Sequence, residues 1–488
     1  MKTLSGATPS SPFGVAWFIL YGHQGVPAAP YLPALRSLGA TSTKIYLFWQ
    51  QVEPDKGRFD WSAVDAFASQ LRDPEEGLIS IFSSSLWATQ IASAFLPPSP
   101  AKNLDDYYRF VFETVKRCAG RVRYWQNDAE PNNPVFWSGT KEAYVEQLKV
   151  FHRAVKDADP RAVVIVGGHD GLFVPPGLPP APGQRTTPFP QQEVGLAFFD
   201  YIFAHASEAF DVFDLRLYGD PYTIEARIAY MRDRMRANGL ERPIVCTEYG
   251  GPNLFEFPEN RKYLPLVQAW SQGATRPDAQ GIPAPEATGL NPIAQLYADM
   301  SSLAPQTQMF MLGCSPALDD KYQRLQARSL VMRNVIGLCA GVRRMLYWDL
   351  LRASGPRDDL MTLMYGKIGL LELEDGEVKQ WTVTARAFQR MTEQLHGVQS
   401  IRRVAAAEFP AIQLFVADRG ARGQTYIVWD RRDAFSGEEA PPALFSFEPG
   451  FDSANAVDAL GHPVELQWDG PVVRVPVSIT PIYITPKP

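Results

Sequence analysis

Apolar and polar positions along this chain switch between two periods, and the switch repeats. Residues 14–20 (GVAWFIL) form a continuous apolar run that reads as a strand, and residues 29–38 read as a helix that stops at Gly39. The couplet then recurs. Further strands are predicted at 43–48 (TKIYLF), 78–82, 122–126, 162–167 (AVVIVG), 210–217, 243–247 (PIVCT) and 342–347. The matching helices fall at 62–71, 104–119, 141–157, 194–208, 224–238, 322–339 and 383–396. Local punctuation agrees with these bounds: Asn103 suits an N-cap, Pro160 stops the helix before it, and Gly239 ends another. A loop of about 70 residues, with a short helix at 292–303, separates the seventh strand from its helix.

Eight strand–helix units in this order are the pattern of an α/β protein closed into a (β/α)8 TIM barrel. An open doubly wound sheet rarely carries so many units and usually has a Gly-rich phosphate loop after its first strand. The corresponding residues 21–27 (YGHQGVP) do not fit that fingerprint. After residue 397 the helical period disappears. Short runs at 412–416, 424–429, 443–447, 464–468, 472–477 and 483–485 are separated by Gly, Pro and Asp turns, which predicts a small antiparallel β-sandwich. The expected organisation is therefore a barrel over residues 1–396 and a sandwich over 397–488.

Composition narrows the classes of partner. Hydrophobic residues make up 45% and charged residues 20%, the balance of a folded soluble chain. Aromatics at 12% and 42 prolines suggest structured loops and a surface that stacks on flat ligands. A net charge of −6 without a basic run argues against a nucleic-acid partner. No stretch approaches the roughly 20 apolar residues that span a bilayer, so no membrane partner is expected. Residues 1–11 (MKTLSGATPSS) lack the apolar core of a signal peptide, so the chain as given reads as cytoplasmic, or as secreted if a leader was removed. A homo-oligomer is left open. Cys118, Cys246, Cys314 and Cys339 are far apart and read as free thiols, and the six histidines form no ligand cluster. No metal and no cofactor is expected.

In a barrel of this kind the chemistry sits at the C-terminal ends of the strands. Two glutamates occupy such places in unusual surroundings: Glu130 in YWQNDAEPNN after strand four, and Glu248 in PIVCTEYGG at strand seven. One carboxyl group can stay protonated and donate to a leaving oxygen while the other, ionised, attacks an anomeric carbon. Direct attack with retention requires them about 5–5.5 Å apart. A neighbouring anion raises the pKa of the acid, and loss of that charge on glycosylation turns the same group into a base.

These residues resemble clan A glycoside hydrolases, which carry an N-E-P motif at strand four and a T-E-[YFW]-G type motif at strand seven. The stretches at 38–61 (LGATSTKIYLFWQQVEPDKGRFDW) and from Trp137 through Gly168 are similar to the same clan, most of all to family 39, the β-xylosidase and α-L-iduronidase group, whose barrels also carry a β-sandwich. The resemblance implies a carbohydrate substrate, Glu130 as acid/base and Glu248 as nucleophile. It also implies Trp348 as an aromatic platform under the sugar and Tyr218 as a hydrogen-bond donor to the nucleophile, with Arg216 where many relatives have His. Ala129 stands where the clan has the Asn that binds the sugar 2-hydroxyl, so either Asn127 or Asp128 bends in to replace it, or that recognition differs. Lys44, inside strand two, is either a sugar contact or part of a barrel ion pair. Trp49, Trp87 and Trp137 follow strands two to four as candidate stacking residues, and His169 and His23 are candidate hydroxyl contacts. Two long loops, 173–192 and 251–320, would wall the site into a pocket. Three functions remain in view: a retaining glycosidase such as a β-xylosidase (with endo-acting or α-L-specific variants), a carbohydrate-binding barrel without turnover, and an unrelated metal-dependent barrel enzyme.

Overall fold

Strands that read as unbroken apolar runs are buried on both faces, which is what a parallel barrel wrapped in helices demands. The computed structural model describes residues 11–17, 31–171, 173–178, 192–266, 292–352, 357, 359–374, 377–406 and 408–487. Its barrel strands are β1 Phe13–Trp17, β2 Ser42–Phe48, β3 Glu76–Phe82, β4 Val122–Asn127, β5 Val163–Ile165, β6 Phe213–Asp214, β7 Ile244–Tyr249 and β8 Met345–Trp348. All pair in parallel in the order β5-β4-β3-β2-β1-β8-β7-β6. Closure between β5 and β6 comes from parallel bridges at Ile165–Val212 and His169–Leu215. Backbone bonds from His169 N to Asp214 O (3.1 Å) and Arg216 N to His169 O (3.0 Å) carry the seam to the mouth.

The helices that follow the strands are α1 Tyr31–Ser37, α2 Ser62–Gln70, α3 Leu104–Arg117, α4 Lys141–Ala158, α5 Gln192–His205, α6 Ile224–Ala237, α7 Pro316–Cys339 and α8 Val383–Gln394. The N-cap expected of Asn103 is present, its side chain accepting from Asp105 N and Asp106 N. Asp105 and Asp106 in the first turn of α3, with Lys116 and Arg117 in the last, complement the helix dipole. Helix α7 starts six residues earlier than the apolar period suggests because Ser315 caps it through Leu318 N. Strand β6 is far shorter than the predicted run at 210–217. Asp214 and Arg216 spend their side chains on a polar network inside the barrel, and the backbone beyond them is held by isolated bonds to β5 and β7.

The C-terminal strands form two antiparallel sheets. One contains β11 Ser400–Val404, β12 Ile412–Asp418, β13 Gln424–Asp430, β15 Ala454–Asp458 and β18 Ile482–Pro486. The other contains β14 Ala443–Phe447, β16 Gln467–Asp469 and β17 Val472–Val477. Their inner faces meet over Leu414, Val416, Tyr426, Phe445, Val473 and Val475, the core of a β-sandwich. Strands β11 and β15 and the hairpin β9 Leu371–Glu374 with β10 Glu377–Trp381 were not legible as apolar runs. Strand β11 exposes Arg402 and Arg403 on opposite faces, and Arg403 reaches Glu225 of α6 at 2.8 Å.

Helix α7 joins the two parts. Glu438, from the sandwich, receives Arg324 at 2.9 Å, Arg328 at 2.6 Å and Lys321 at 3.7 Å. Burial opposes the charge on Glu438, but hydrogen bonds from Arg324 and Arg328 outweigh it and hold the carboxyl down at about 2. A depressed folded pKa stabilises the fold above the unfolded value of about 4.3 and loses that contribution as pH falls toward the folded value. Glu438→Gln is therefore expected to lower Tm at neutral pH, with the gap from wild type closing between about pH 4 and 2 in thermal melts. A gap that stays constant across that window would contradict this linkage. Among the described residues, no helix is long and apolar enough to cross a membrane.

Candidate active site

Glu248 owes its aim to an irregularity in its strand. Side chains alternate along a strand, and Thr247 already faces the barrel interior, so a regular β7 would turn Glu248 outward. The β7–β8 register shifts between Cys246 and Tyr249, and this bulge brings Glu248 inward beside Thr247. Lys44 Nζ then touches both, at 3.0 Å from Thr247 Oγ1 and 2.9 Å from Glu248 Oε1. The same oxygen accepts from the Tyr46 hydroxyl and lies 3.1 Å from Arg216 Nη2. Among the described residues, the other oxygen, Oε2, accepts from Tyr218 alone, whose hydroxyl stands at 3.5 Å. Oε1 is thus saturated with donors, whereas Oε2 has one long contact.

Glu130 follows a left-handed residue. Asp128 has φ +53°, a conformation that Asp tolerates better than most residues, and its carboxylate accepts from Ser83 N at 3.0 Å and Ser83 Oγ at 3.2 Å. Burial pushes the Asp128 carboxyl up to about 7, partly offset by Ser83. The turn so fixed delivers Glu130 next to Arg216, whose Nε is 3.5 Å from Glu130 Oε1. Glu130 Oε2 accepts from Asn133 Nδ2 at 3.3 Å. A side chain at Gly168 would place its Cβ 2.8 Å from Arg216 Nε, so a glycine there leaves the guanidinium its path.

The two carboxyls thus share one guanidinium and differ in their surroundings. Burial raises Glu130 to about 7, with Arg216 pulling down and Asp170 pushing up. Burial also raises Glu248, and Lys44 opposes it. Lys44 itself is lowered to about 8 by burial and Arg216, against the pull of Glu248 and Asp214. Three donors on Glu248 Oε1, with Tyr218 on Oε2, favour its ionised form, whereas the one long hydrogen bond to Glu130 leaves it able to hold a proton. Removing the donor in Tyr46→Phe is expected to lower kcat by about ten- to a hundredfold at little change in KM, read from steady-state kinetics. A KM effect alone would make Tyr46 a binding residue.

Of the residues marked in the sequence, the structure gathers Lys44, Arg216 and Tyr218 around Glu130 and Glu248. Trp348 adjoins them through Tyr365, against which it packs edge-on at 4.9 Å. Six others are placed elsewhere. Trp49 is stacked on Phe110 of α3, and Trp87 packs against Trp49 and donates to Glu53 O. Trp137 packs edge-on to Tyr144 of α4. His169 is wedged between Phe173 and Phe199, outside the strands. Asn127 donates to Tyr107 and Asp128 is occupied by Ser83, so neither bends in beside Glu130. Ala129 lies in an apolar cluster with Tyr46, Phe82 and Val135. His23 lies outside the described residues, as do residues 179–191 and 267–291 of the two expected wall loops. Among the described residues, no cluster of His, Cys, Asp or Glu is arranged to hold a metal ion.

No family model matches the chain, and no curated protein is similar to it in sequence. Solved structures are similar to it. A family 39 glycoside hydrolase from Bacteroides cellulosilyticus WH2 aligns with 98% of this chain and 81% of its own, at 15% identity and a TM-score of 0.61. The family 51 α-L-arabinofuranosidase AbfB from Bifidobacterium longum aligns with 98% of this chain and 95% of its own, at 12% identity and 0.59. A monomeric β-xylosidase from Caulobacter crescentus CB15 aligns with 98% and 97%, at 14% identity and 0.56. The chain shares the fold of these glycoside hydrolases.

On this barrel, Tyr46, Gln126, Asn133, Asp214, Thr247 and Tyr365 also join the site, and none of them was marked by the sequence. Tyr46 and Asp214 lie two residues from Lys44 and Arg216 on the same strand face, a signal that period-2 reading carries. Thr247 directly precedes Glu248, where alternation argues against a shared face and only the bulge creates one. Tyr365 ends a short helix, Leu360–Tyr365, after β8, and its ring centroid is 6.2 Å from that of Tyr218. No sequence signal pointed to it.

Proposed function

We propose that this protein is a retaining glycosidase that acts on β-glycosides of the xyloside type in oligosaccharides or small glycosides. The observation that supports this reading best is the unequal environment of the two carboxyls that share Arg216. Glu248 Oε2, the oxygen with the fewest donors, attacks the anomeric carbon as the glycosidic C–O bond breaks, and the leaving oxygen takes the proton of Glu130. Water then attacks the same carbon, gives a proton to Glu130, and the ester bond returns its electron pair to Glu248. Tyr218, Trp348 and Tyr365 form an aromatic corner beside Oε2, suited to the apolar face of a sugar ring. The side chains preceding Glu130 offer the sugar no polar group, so 2-hydroxyl binding, where it occurs, falls to other residues.

The test is a panel of nitrophenyl xyloside, glucoside, galactoside and arabinofuranoside, with the anomer of the first product followed by NMR. Hydrolysis of at least one with retained configuration is expected. Binding of sugars without turnover of any glycoside would favour a lectin-like barrel, and release of inverted sugar would make Glu248 a base acting through water.

A further inference from the structure

Deep beneath the carboxyl pair lies a third carboxylate that faces neither the mouth nor solvent. Asp214 Oδ2 accepts from Gln126 Nε2 at 2.6 Å and Thr247 Oγ1 at 2.7 Å, and lies 2.9 Å from Arg216 Nη1, while Oδ1 accepts from Thr247 N at 2.9 Å. Asp214 and Arg216 are both fully buried. The remaining edges of the guanidinium are directed elsewhere: Nη2 to Ala129 O and Glu248 Oε1, each at 3.1 Å, and Nε toward Glu130 Oε1 at 3.5 Å. Arg216 Nη1 also donates to Thr247 Oγ1, which itself donates to Asp214 Oδ2, so Asp214 anchors Nη1 both directly and through Thr247. With Nη2 held at Ala129 O, the rigid, planar guanidinium has its last edge directed.

We propose that Asp214 is a positioning residue that holds Arg216 astride the two reacting carboxyls, so that one immobile guanidinium supports the Glu248 carboxylate before glycosylation and the Glu130 carboxylate after it. The proposal rests on the reading of Glu248 as nucleophile and Glu130 as acid/base. When Glu248 Oε2 bonds to the anomeric carbon, its charge is consumed in a neutral ester. Glu130 has in the same step given up its proton to the leaving oxygen and become the anion. Negative charge thus crosses from one side of Arg216 to the other while the cation stays still, and no reorganisation accompanies the transfer. A newly ionised Glu130 would otherwise be a buried carboxylate with one long hydrogen bond from Asn133 and the more distant charge of Lys44, and with Asp170 opposing it. An untethered Arg216 would swing to whichever carboxyl is charged and have to swing back in each half-cycle.

The experiment needs no glycosyl donor. Glu248→Gln mimics the neutral nucleophile of the intermediate, and the Glu130 carboxyl is titrated by 13C NMR in wild type and in this variant. The same pair is then titrated in Asp214→Asn and in Arg216→Lys backgrounds. In the wild-type background Glu248→Gln should lower the Glu130 midpoint. In the Asp214→Asn background that fall should shrink to about half or less, and likewise with Arg216→Lys, because an ammonium is a point charge without a second edge. Comparing each variant with its own Glu248→Gln partner cancels the direct field of Asp214. A merely structural role would alter melting temperature and leave the fall unchanged. Equal falls in all backgrounds would overturn the proposal while the nucleophile reading stands. A Glu248→Gln enzyme that turns over an aryl glycoside as wild type does would sink that reading, and this proposal with it.

Discussion

Glu248→Gln is expected to cut turnover by several orders of magnitude with good and poor leaving groups alike. The covalent route requires an anionic oxygen at the anomeric carbon, and a primary amide in the same place cannot form the ester. Donors on Glu248 would make matters worse: Lys44 and Arg216 would then hold two cations under a neutral side chain, raising the energy of the cationic sugar in the transition state. Because protonation of the leaving group is untouched, the loss should not depend on leaving-group acidity. Kinetics on dinitrophenyl and alkyl glycosides check this, and a loss confined to one class would move Glu248 out of the nucleophile role.

Glu130→Ala should behave differently. Proton donation of this kind contributes about 10²–10⁴-fold, and it matters most where the leaving group is poor. Alkyl glycosides should therefore lose nearly all activity, while an activated phenol still leaves unaided and glycosylates Glu248. Azide should then rescue turnover by attacking the glycosyl-enzyme, giving a product with the substrate's own anomeric configuration. The pH profile carries a second signature. Glu130 is raised to about 7 by burial, and glycosylation requires its protonated form, so wild-type activity on alkyl glycosides should fall as pH rises through about 7. That alkaline limb should be missing from Glu130→Ala assayed on dinitrophenyl glycosides. A limb that persists would assign it to another group, and Lys44, lowered to about 8, is the first to test.

The barrel was legible because its strands are buried on both faces, so apolar runs and amphipathic helices alternate without ambiguity, as in β2 and α3. The position of Glu130 and Glu248 at strand ends was legible because strand bounds are, and the structure sets both against Arg216. What failed was the inference from an aromatic near the mouth to a sugar contact. Trp49 and Trp137 follow strand ends in sequence, yet their indoles fill the layer between strands and helices, a fate that one-dimensional spacing does not distinguish from stacking on ligand. Asn127 and Asp128 illustrate the same limit: a turn at positive φ consumes Asp128, and Tyr107 takes Asn127. Arg216 was marked by its place after strand six, but its sharing between both carboxyls was not legible, because that depends on Gly168 leaving room and on a bulge in β7.

The two cations lodged against Glu248 also bear on which small molecules the proposed site would favour. Basic iminosugars owe much of their affinity for glycosidases to the attraction between a protonated ring nitrogen and an anionic side chain. Here that anion is already shared, with Lys44 at 2.9 Å and Arg216 at 3.1 Å on the same oxygen. An incoming ammonium gains a diluted partner and meets two like charges at short range. Lactones and lactams, which imitate the flattened ring without its charge, avoid that repulsion. On the proposed reading, inhibitor chemistry for this barrel favours shape over charge, and a ligand series built on a basic ring nitrogen starts at a disadvantage.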